Sequence, residues 1–441
     1  MPSNESSTPQ HVTVSIPDKG LRDEVVGELL QKHMAADIPP SHDLGRFTTT
    51  KFDETSINIM VAGSLRNQPC VEEYPSLADG FFGAATTGSS EAVLLGGLAM
   101  KRQWQLQHPS HLNSRPNVLI GANAHICVNK VANYFDVEAR IIPVSEKSGY
   151  TFDLEGLEDR LDENTIGVFL TLGSTYTGHY DPIQQVSRVL DEYEHQTGNN
   201  IPIHVDAASG GFIAPFTPGN TNFIWDFRLP RVQSINVSGH KYGMAPLAVG
   251  WIIWREKSHI PQCLLLESSY LRGTQSNFSL SFSRSGAPIA GQYYNFLRLG
   301  LAGFRERTHG LLDRACHLSI RLEETGYFSC LSDAHRRQIS NVCHDLCRGP
   351  DQITAPVLPV VVFRLSDRVR RLYPKMQLSD VSDAMHGFKF SIPNYNLRGW
   401  GYHGEDIEVM RLVLRDEMTM EMMGEVLTGI TQAVERLIDQ A

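Results

Sequence analysis

Val232-Gln233-Ser234-Ile235-Asn236-Val237-Ser238-Gly239-His240-Lys241 decides how this 441-residue chain is read. The run Val232–Val237 (VQSINV) has the β-branched character of a short buried strand. It breaks at Ser238-Gly239 into a histidine and a lysine. Similar runs precede it at Asn117–Ile120 (NVLI), Ala139–Val144 (ARIIPV), Gly167–Leu172 (GVFLTL) and Ile201–Val205 (IPIHV). Helical stretches lie between them, such as Glu91–Trp104, entered through Thr86–Ser90, and Asp181–Gln196. Strands that are apolar on both sides, alternating with helices, predict an α/β domain around a mostly parallel sheet. From about Phe296 the pattern changes to longer helices, strands near Val357–Phe363 and a final helix at Met418–Gln440. That predicts a second, smaller α/β domain. The expected division is residues 1–50 as a tail with a short helix (Leu21–Met34, ended by Pro39 and Pro40), 51–311 as the large domain and 312–441 as the small one.

Composition narrows the function classes. Hydrophobic residues make up 41% and charged residues 20%, as in an ordinary globular protein. A net charge of −10 argues against a nucleic-acid partner, which calls for a basic face. No apolar run is long enough to cross a membrane, and Met1–Gln10 is polar, unlike a secretory signal. Seven scattered cysteines then read as reduced thiols of a cytoplasmic protein. Cys343, His344 and Cys347 lie near His335, but a CxxC pair is missing and no metal site is expected.

Three stretches carry chemistry. In Ser238-Gly239-His240-Lys241 a lysine follows a buried strand, and a desolvated lysine can form a Schiff base with an aldehyde; a surface lysine after a turn has the same pattern. In His204-Val205-Asp206-Ala207-Ala208 a strand ends in an acid, where open α/β sheets bind ligands. Such an acid can pair with a protonated ring nitrogen and Ala208 can let a flat ring approach, although a turn aspartate looks alike. In Thr87-Gly88-Ser89-Ser90-Glu91 a glycine and two hydroxyls open a helix, as an anion cradle or as a plain N-cap through Ser90. An anion cradle, an acid for a pyridinium nitrogen and a lysine for an aldehyde are together the three attachments of pyridoxal phosphate. His125 can stack on the ring's other face or simply be a packed histidine.

At these residues the chain resembles the pyridoxal-phosphate-dependent group II decarboxylases, specifically the glutamate decarboxylases of the bacterial and plant type. The carrying motifs are TTGSSEA (86–92), HVDAASGGF (204–212), WDFRLPRVQSINVSGHKYGMAPLAVGWIIWR (225–255) and QYYNFLRLG (292–300), within a similarity from about Arg46 to Arg415. The resemblance implies a fold type I pyridoxal-phosphate enzyme. Its large domain would hold a mostly parallel seven-stranded sheet, and the enzyme would act as a homodimeric amino-acid carboxy-lyase. It implies that Lys241 holds the cofactor, Asp206 meets the pyridine nitrogen, Ala208 lies beneath the ring and His125 stacks above it. By the same resemblance Ser89, Ser90, Ser238 and His240 bind phosphate, and Ser283 reaches the phosphate of the neighbouring subunit. Thr175 lines the cofactor site, Arg411 grips the substrate α-carboxylate, and Tyr270 in a mobile loop donates a proton to Cα.

The chain also departs from that family. Phe47 leads through Thr48–Lys51 almost directly to Glu72-Glu73-Tyr74-Pro75, so the segment that binds the distal carboxylate of glutamate looks deleted. Cys70 stands where the family has an acid, and the stretch Ser76–Ala85 is short. The expected activity is therefore decarboxylation with an altered side-chain pocket. Two alternatives compete with it. One is other pyridoxal-phosphate chemistry on the same scaffold, such as decarboxylation coupled to oxidative deamination or carbon–carbon bond formation. The other is a non-catalytic relative.

Overall fold

The structure, a computed structural model, describes residues 17–29, 82–111, 114–217, 223–268, 275–281, 285–336, 357–385, 388 and 390–440. The strands of the large sheet are β1 (Phe82–Thr86), β2 (Asn117–Gly121), β3 (Glu138–Ile142), β4 (Thr165–Thr171), β5 (Ile203–Asp206), β6 (Val232–Ser238) and β7 (Gly250–Trp254), in spatial order β1-β7-β6-β5-β4-β2-β3. β7 pairs antiparallel with both β1 and β6, and every other pairing is parallel. The expected seven-stranded, mostly parallel sheet is thus present.

Its inner strands are buried on both faces, because helices cover both, whereas edge strand β3 buries only Ile142. Every residue of β2 and β4 is buried. With a side-chain period of two, Val118 and Ile120 enter one core with Val93, Met100 and Trp104 of α1 (Ser89–Gln107) and Val128 and Val131 of α2 (Ile126–Tyr134). Leu119 enters the other, with Ile183, Val186 and Leu190 of α3 (Ile183–Thr197).

Helix α4 (Ala287–Glu324) is bent at Gly300, whose φ of 62° lies in the left-handed region. The break exposes backbone donors that the N-terminal residues satisfy: Leu301 and Ala302 donate to the carbonyls of Pro17 and Asp18 at 2.8 and 2.9 Å.

A second, antiparallel sheet has the order β10-β11-β13-β12, built from β10 (Phe328–Cys330), β11 (Val360–Leu365), β12 (Asn394–Leu397) and β13 (Ile407–Val413), with a short hairpin of β8 (Leu266–Ser268) and β9 (Gln275–Asn277) elsewhere. Two short helices, α5 (Asp367–Leu372) and α6 (Leu378–Ala384), lie between β11 and β12. The last helix, α7 (Met420–Asp439), buries Val426, Ile430, Ala433 and Val434, a stripe at helical spacing. Hydrogen bonds tie this sheet to the loop after β4: Tyr395 Oη donates to the Tyr176 carbonyl at 2.6 Å, and Leu358 N to the Gly178 carbonyl at 3.0 Å.

Several boundaries differ from the sequence reading. β3 stops at Ile142 because Pro143 cannot donate to a ladder. β5 starts two residues later than expected and includes Asp206. β1 and β7 went unread, and residues 23–29 are the described part of the early helix. Among the described residues no helix is long and apolar enough to cross a membrane. Cys127, Cys263, Cys316 and Cys330 form no disulfide among the described residues, and His335 pairs with Glu323 at 3.2 Å; Cys343 and Cys347 lie outside the described residues.

Candidate active site

Parallel strands end at one edge, and β4, β5 and β6 deliver Thr171, Asp206 and Ser238 there, while β1 leads into α1. A cavity of about 330 Å³ opens at this edge. It is lined by nine of the residues singled out in the sequence: Ser89, Ser90, His125, Thr175, Asp206, Ala208, Ser238, His240 and Lys241. Arg411 reaches the rim from β13, where a guanidinium nitrogen donates to the Thr175 carbonyl. Its Nε is buried without a hydrogen-bond partner among the described residues. Tyr270 and Ser283 lie outside the described residues.

The entrance to α1 is built to receive an anion. Gly88 is the N-cap, with φ 148° and ψ 169°, a conformation open essentially to glycine alone, and no side chain caps the helix. The plain N-cap through Ser90 is therefore not what forms, and the first-turn N–H groups face the cavity edge uncapped. Ser238 Oγ lies 2.8 Å from Ser89 Oγ, so one hydroxyl hydrogen joins the two and the other is left for a ligand. His240 Nδ1 lies 3.0 Å from the Val249 carbonyl and must carry a hydrogen there. Nε2 can then donate to an anion when the ring is protonated.

Several neighbours in this cavity, among them Thr87, Glu91, Cys127 and Ser209, have no individual role in the sequence reading, although Thr87, Glu91 and Ser209 lie within its motifs. A carboxylate beside an anion cradle would normally repel the anion. Glu91 is spent instead: Oε2 accepts from Thr87 N and Oγ1, both at 2.7 Å, and Oε1 from the N–H groups of Leu280 and Ser281 at 2.9 and 3.2 Å. The signal that could have found it is its place three residues after the N-cap, where a glutamate commonly reaches back to the chain entering a helix.

Asp206 is buried, 4% exposed, and Oδ1 accepts from Ala208 N at 3.1 Å and from Asn236 Nδ2 at 2.8 Å. His125 caps α2 through its ring, with Nδ1 3.3 Å from Cys127 N. Burial pushes its pKa below the ordinary histidine value, against Asp206 and with Lys241, which favours a neutral ring. Burial pushes the Cys127 thiol up to about 12, so it is no nucleophile at neutral pH. Lys241 differs from the sequence expectation: it is exposed rather than desolvated, with Nζ 3.2 Å from Ser209 Oγ, because it lies on the turn beyond β6 at the cavity mouth. The donor set fits pyridoxal phosphate: hydroxyls and free N–H groups for phosphate, a buried carboxylate for a ring nitrogen and an accessible amine for an aldehyde.

Residues 62–347 match the pyridoxal-dependent decarboxylase conserved domain. The chain is 33% identical over 464 residues to glutamate decarboxylase of Saccharomyces cerevisiae, covering 96% of this chain and 79% of that protein. It is 38% identical over 360 residues to glutamate decarboxylase of Aliivibrio fischeri, covering 81% and 71%. The solved structure of Lactobacillus brevis glutamate decarboxylase matches with a TM-score of 0.76 at 31% identity, covering 97% of this chain and 89% of that one. Membership in the family and the fold type I architecture follow from these matches together with the sheet and the cavity. The chain belongs to the pyridoxal-dependent decarboxylases and is a pyridoxal-phosphate carboxy-lyase acting on amino acids.

Proposed function

We propose that this chain decarboxylates a free α-amino acid other than glutamate, with Lys241, Asp206 and Arg411 in the three leading roles. The observation that carries the reading is the convergence of Lys241, Asp206 and the Ser89/Ser90 helix entrance on one cavity. Bound pyridoxal phosphate supplies the electron sink for the charge left when CO₂ departs. Lys241 carries the cofactor through Nζ. Asp206 holds a proton on the ring nitrogen, since an adjacent anion favours the cationic form. Ser89, Ser90, Ser238 and His240 would bind the phosphate, Ala208 would let the ring approach the backbone, and the neutral His125 would cover its other face. Thr175 shapes the wall and fixes the Arg411 guanidinium through its carbonyl. Arg411 receives the substrate α-carboxylate and so orients the bond that breaks. Tyr270 returns a proton to Cα, and Ser283 reaches the phosphate of a second copy.

The chain works as a cytoplasmic homodimer in this reading. Leu247, near the Lys241 turn, is 79% exposed in the single chain, as an apolar side chain at an interface would be. The large, cofactor-binding domain spans 51–311 and the small one 312–441, with α4 running through the division.

Glutamate is disfavoured because the distal-carboxylate segment is missing between Phe47 and Glu72 and Cys70 replaces the nearby acid. A buried distal carboxylate without donors costs several kcal/mol, and each ~1.36 kcal/mol is a factor of ten in rate. Arg46, Lys51 or Arg66 could rebuild an anion site for aspartate or a larger amino acid. Steady-state kinetics on glutamate, aspartate and aromatic amino acids tests this. CO₂ release from one of the others at a kcat/KM at least about tenfold above glutamate is expected; glutamate as the preferred substrate overturns the specificity reading.

A further inference from the structure

Strands β5 and β6 lie in parallel register with His204 opposite Ser234 and Asp206 opposite Asn236. The strand period of two sets His204 and Asp206 on one face, and Ser234 and Asn236 beside them. All four are buried, His204 and Asn236 completely. His204 Nδ1 is 2.7 Å from Ser234 Oγ, Nε2 is 2.7 Å from Asn236 Oδ1, and Asn236 Nδ2 is 2.8 Å from Asp206 Oδ1.

The carboxylate at the end of this chain fixes every direction in it. Asp206 accepts, so Asn236 must turn its Nδ2 toward it. Asn236 Oδ1 then faces His204 and needs a donor, which requires a hydrogen on Nε2. A neutral ring with that hydrogen leaves Nδ1 to accept from the Ser234 hydroxyl. Four groups thus pass donors one way, toward Asp206, and each bond polarises the next. The other neutral tautomer would turn the Asn236 amide over and set its oxygen against the Asp206 oxygen. Burial favours the neutral ring, lowering its pKa to about 4, with Asn236 and Asp206 acting in the opposite direction. The ring has no room to leave: it packs on Phe169 of β4 at a 4.8 Å centroid distance, and a Cβ at Gly96 of α1 would meet it at 2.7 Å.

We infer that His204 is a positioning residue for Asp206: its Nε2–H locks the Asn236 amide, which engages Oδ1 and leaves Oδ2 as the oxygen offered to the cofactor's ring nitrogen. This rests on the reading that Asp206 meets that nitrogen. Among the described residues the other buried histidines, His179 and His335, pair with Asp333 and Glu323, which do not line the cavity.

The test combines histidine ¹⁵N NMR of the unmodified protein, with and without pyridoxal phosphate, and three variants of the loaded enzyme. His204 is expected to stay a neutral Nε2–H ring from about pH 5.5 to 8 in both forms; an Nδ1–H ring, or ordinary titration near 6.5, overturns the inference. This measurement stands even where a variant fails to fold. His204→Leu removes the donor, and His204→Gln can restore an N–H toward Asn236. His204→Leu is expected to shift the pH dependence of the cofactor's visible band in the direction that Asp206→Asn shifts it. It should also lower kcat/KM about tenfold to a hundredfold, the scale of outer-shell partners, with recovery toward wild type in His204→Gln. If Asp206→Asn moves the band and His204→Leu does not, the positioning role falls while the reading of Asp206 stands. If Asp206→Asn leaves the band unmoved, that reading falls and the positioning role falls with it.

Discussion

At the two edges of the large sheet lie cavities of nearly equal volume, about 330 Å³ at the carboxyl ends of the parallel strands and about 320 Å³ at their amino ends. Helix α1 reaches both. Ser89, Ser90 and Glu91 of its first turn line the first cavity, and Gln103, Trp104 and Gln107 near its end line the second. The first holds a lysine, two carboxylates and two histidines; the lining of the second contains no Lys, Arg, Asp or Glu. Size therefore does not separate a site from a packing void here; the direction of the backbone does. Helix N-termini carry partial positive charge and free N–H groups, whereas the C-terminal end of α1 presents carbonyls and has no basic residue in its last turn. An anionic cofactor belongs at one edge and is disfavoured at the other.

The largest break in that comparison is at Lys241. Lys241→Ala should lower turnover by about three orders of magnitude or more, ~4 kcal/mol at 1.36 kcal/mol per tenfold. Borohydride reduction of the wild type should fix cofactor on the peptide that contains Lys241. Label on a peptide from another lysine would move the chemistry away from this position.

Next comes Asp206→Asn, which keeps the shape and removes the charge. Loss of one preorganised electrostatic group typically costs about a hundredfold to a thousandfold in kcat, and cofactor affinity should weaken as well. Equilibrium dialysis and kinetics at saturating cofactor report the two effects separately. Unchanged turnover at saturation would exclude Asp206 as the ring-nitrogen partner.

The contrast between the edges was only partly legible in the chain. NVLI, GVFLTL and VQSINV read as doubly buried strands because apolar β-branched residues dominate them. FGAAT at β1 has small residues that fit a helix as well. GWIIW at β7 enters antiparallel between β1 and β6, an insertion that no local pattern encodes. Lys241, Asp206 and the Ser89/Ser90 entrance were recognisable because each sits at the end of its own element with a local signature. The His204–Asn236 bond was not, since it depends on the register between β5 and β6. Its one sequence trace is a polar residue at every second position, His204-x-Asp206 and Ser234-x-Asn236, inside otherwise apolar strands. The roles of Tyr270, Ser283 and Cys70 have no local signature of their own and rest on the resemblance alone.

A smaller effect probes what joins the two cavities. Ser234 lines the amino-end cavity and Asp206 the other, so the hydrogen-bonded series through His204 runs between them. Adjacent glycines on α1 separate packing from positioning. A Cβ at Gly96 would lie 2.7 Å from the His204 ring, and one at Gly97 would lie 2.4 Å from Val131 Cγ1. Overpacking of this kind costs about 1–3 kcal/mol, so both Gly96→Ala and Gly97→Ala should lower the urea midpoint. Only Gly96→Ala should also alter the pH dependence of the cofactor's visible band. Equal spectra from the two variants would mean that the ring tolerates displacement without disturbing Asp206.

The smallest expected effect lies on the rim of the amino-end edge, where charge does occur but stays half in solvent. Arg140 pairs with Asp162 Oδ2, with side chains 26% and 31% exposed. Asp162 Oδ1 accepts from Asn117 Nδ2 at 2.7 Å and Asn164 N at 2.9 Å. Burial pushes the Asp162 carboxyl up, but the bonds from Arg140, Asn117 and Asn164 outweigh it and hold the pKa below the ordinary value. An acid with a depressed folded pKa stabilises the fold above its unfolded value, ~3.9, and that contribution disappears as pH falls through the lower folded value. Asp162→Asn keeps an oxygen for Asn117 and Asn164 and replaces the charged acceptor facing Arg140 with an uncharged amide donor. The expected loss at pH 7 is therefore that of a partly exposed ion pair, about 0.2–1 kcal/mol, reduced by salt. The gap between variant and wild type should narrow progressively below pH ~4 as Asp162 itself becomes protonated. Urea midpoints of both proteins across that range measure it. A gap that persists undiminished at low pH would assign the cost to the turn before β4 rather than to the charge.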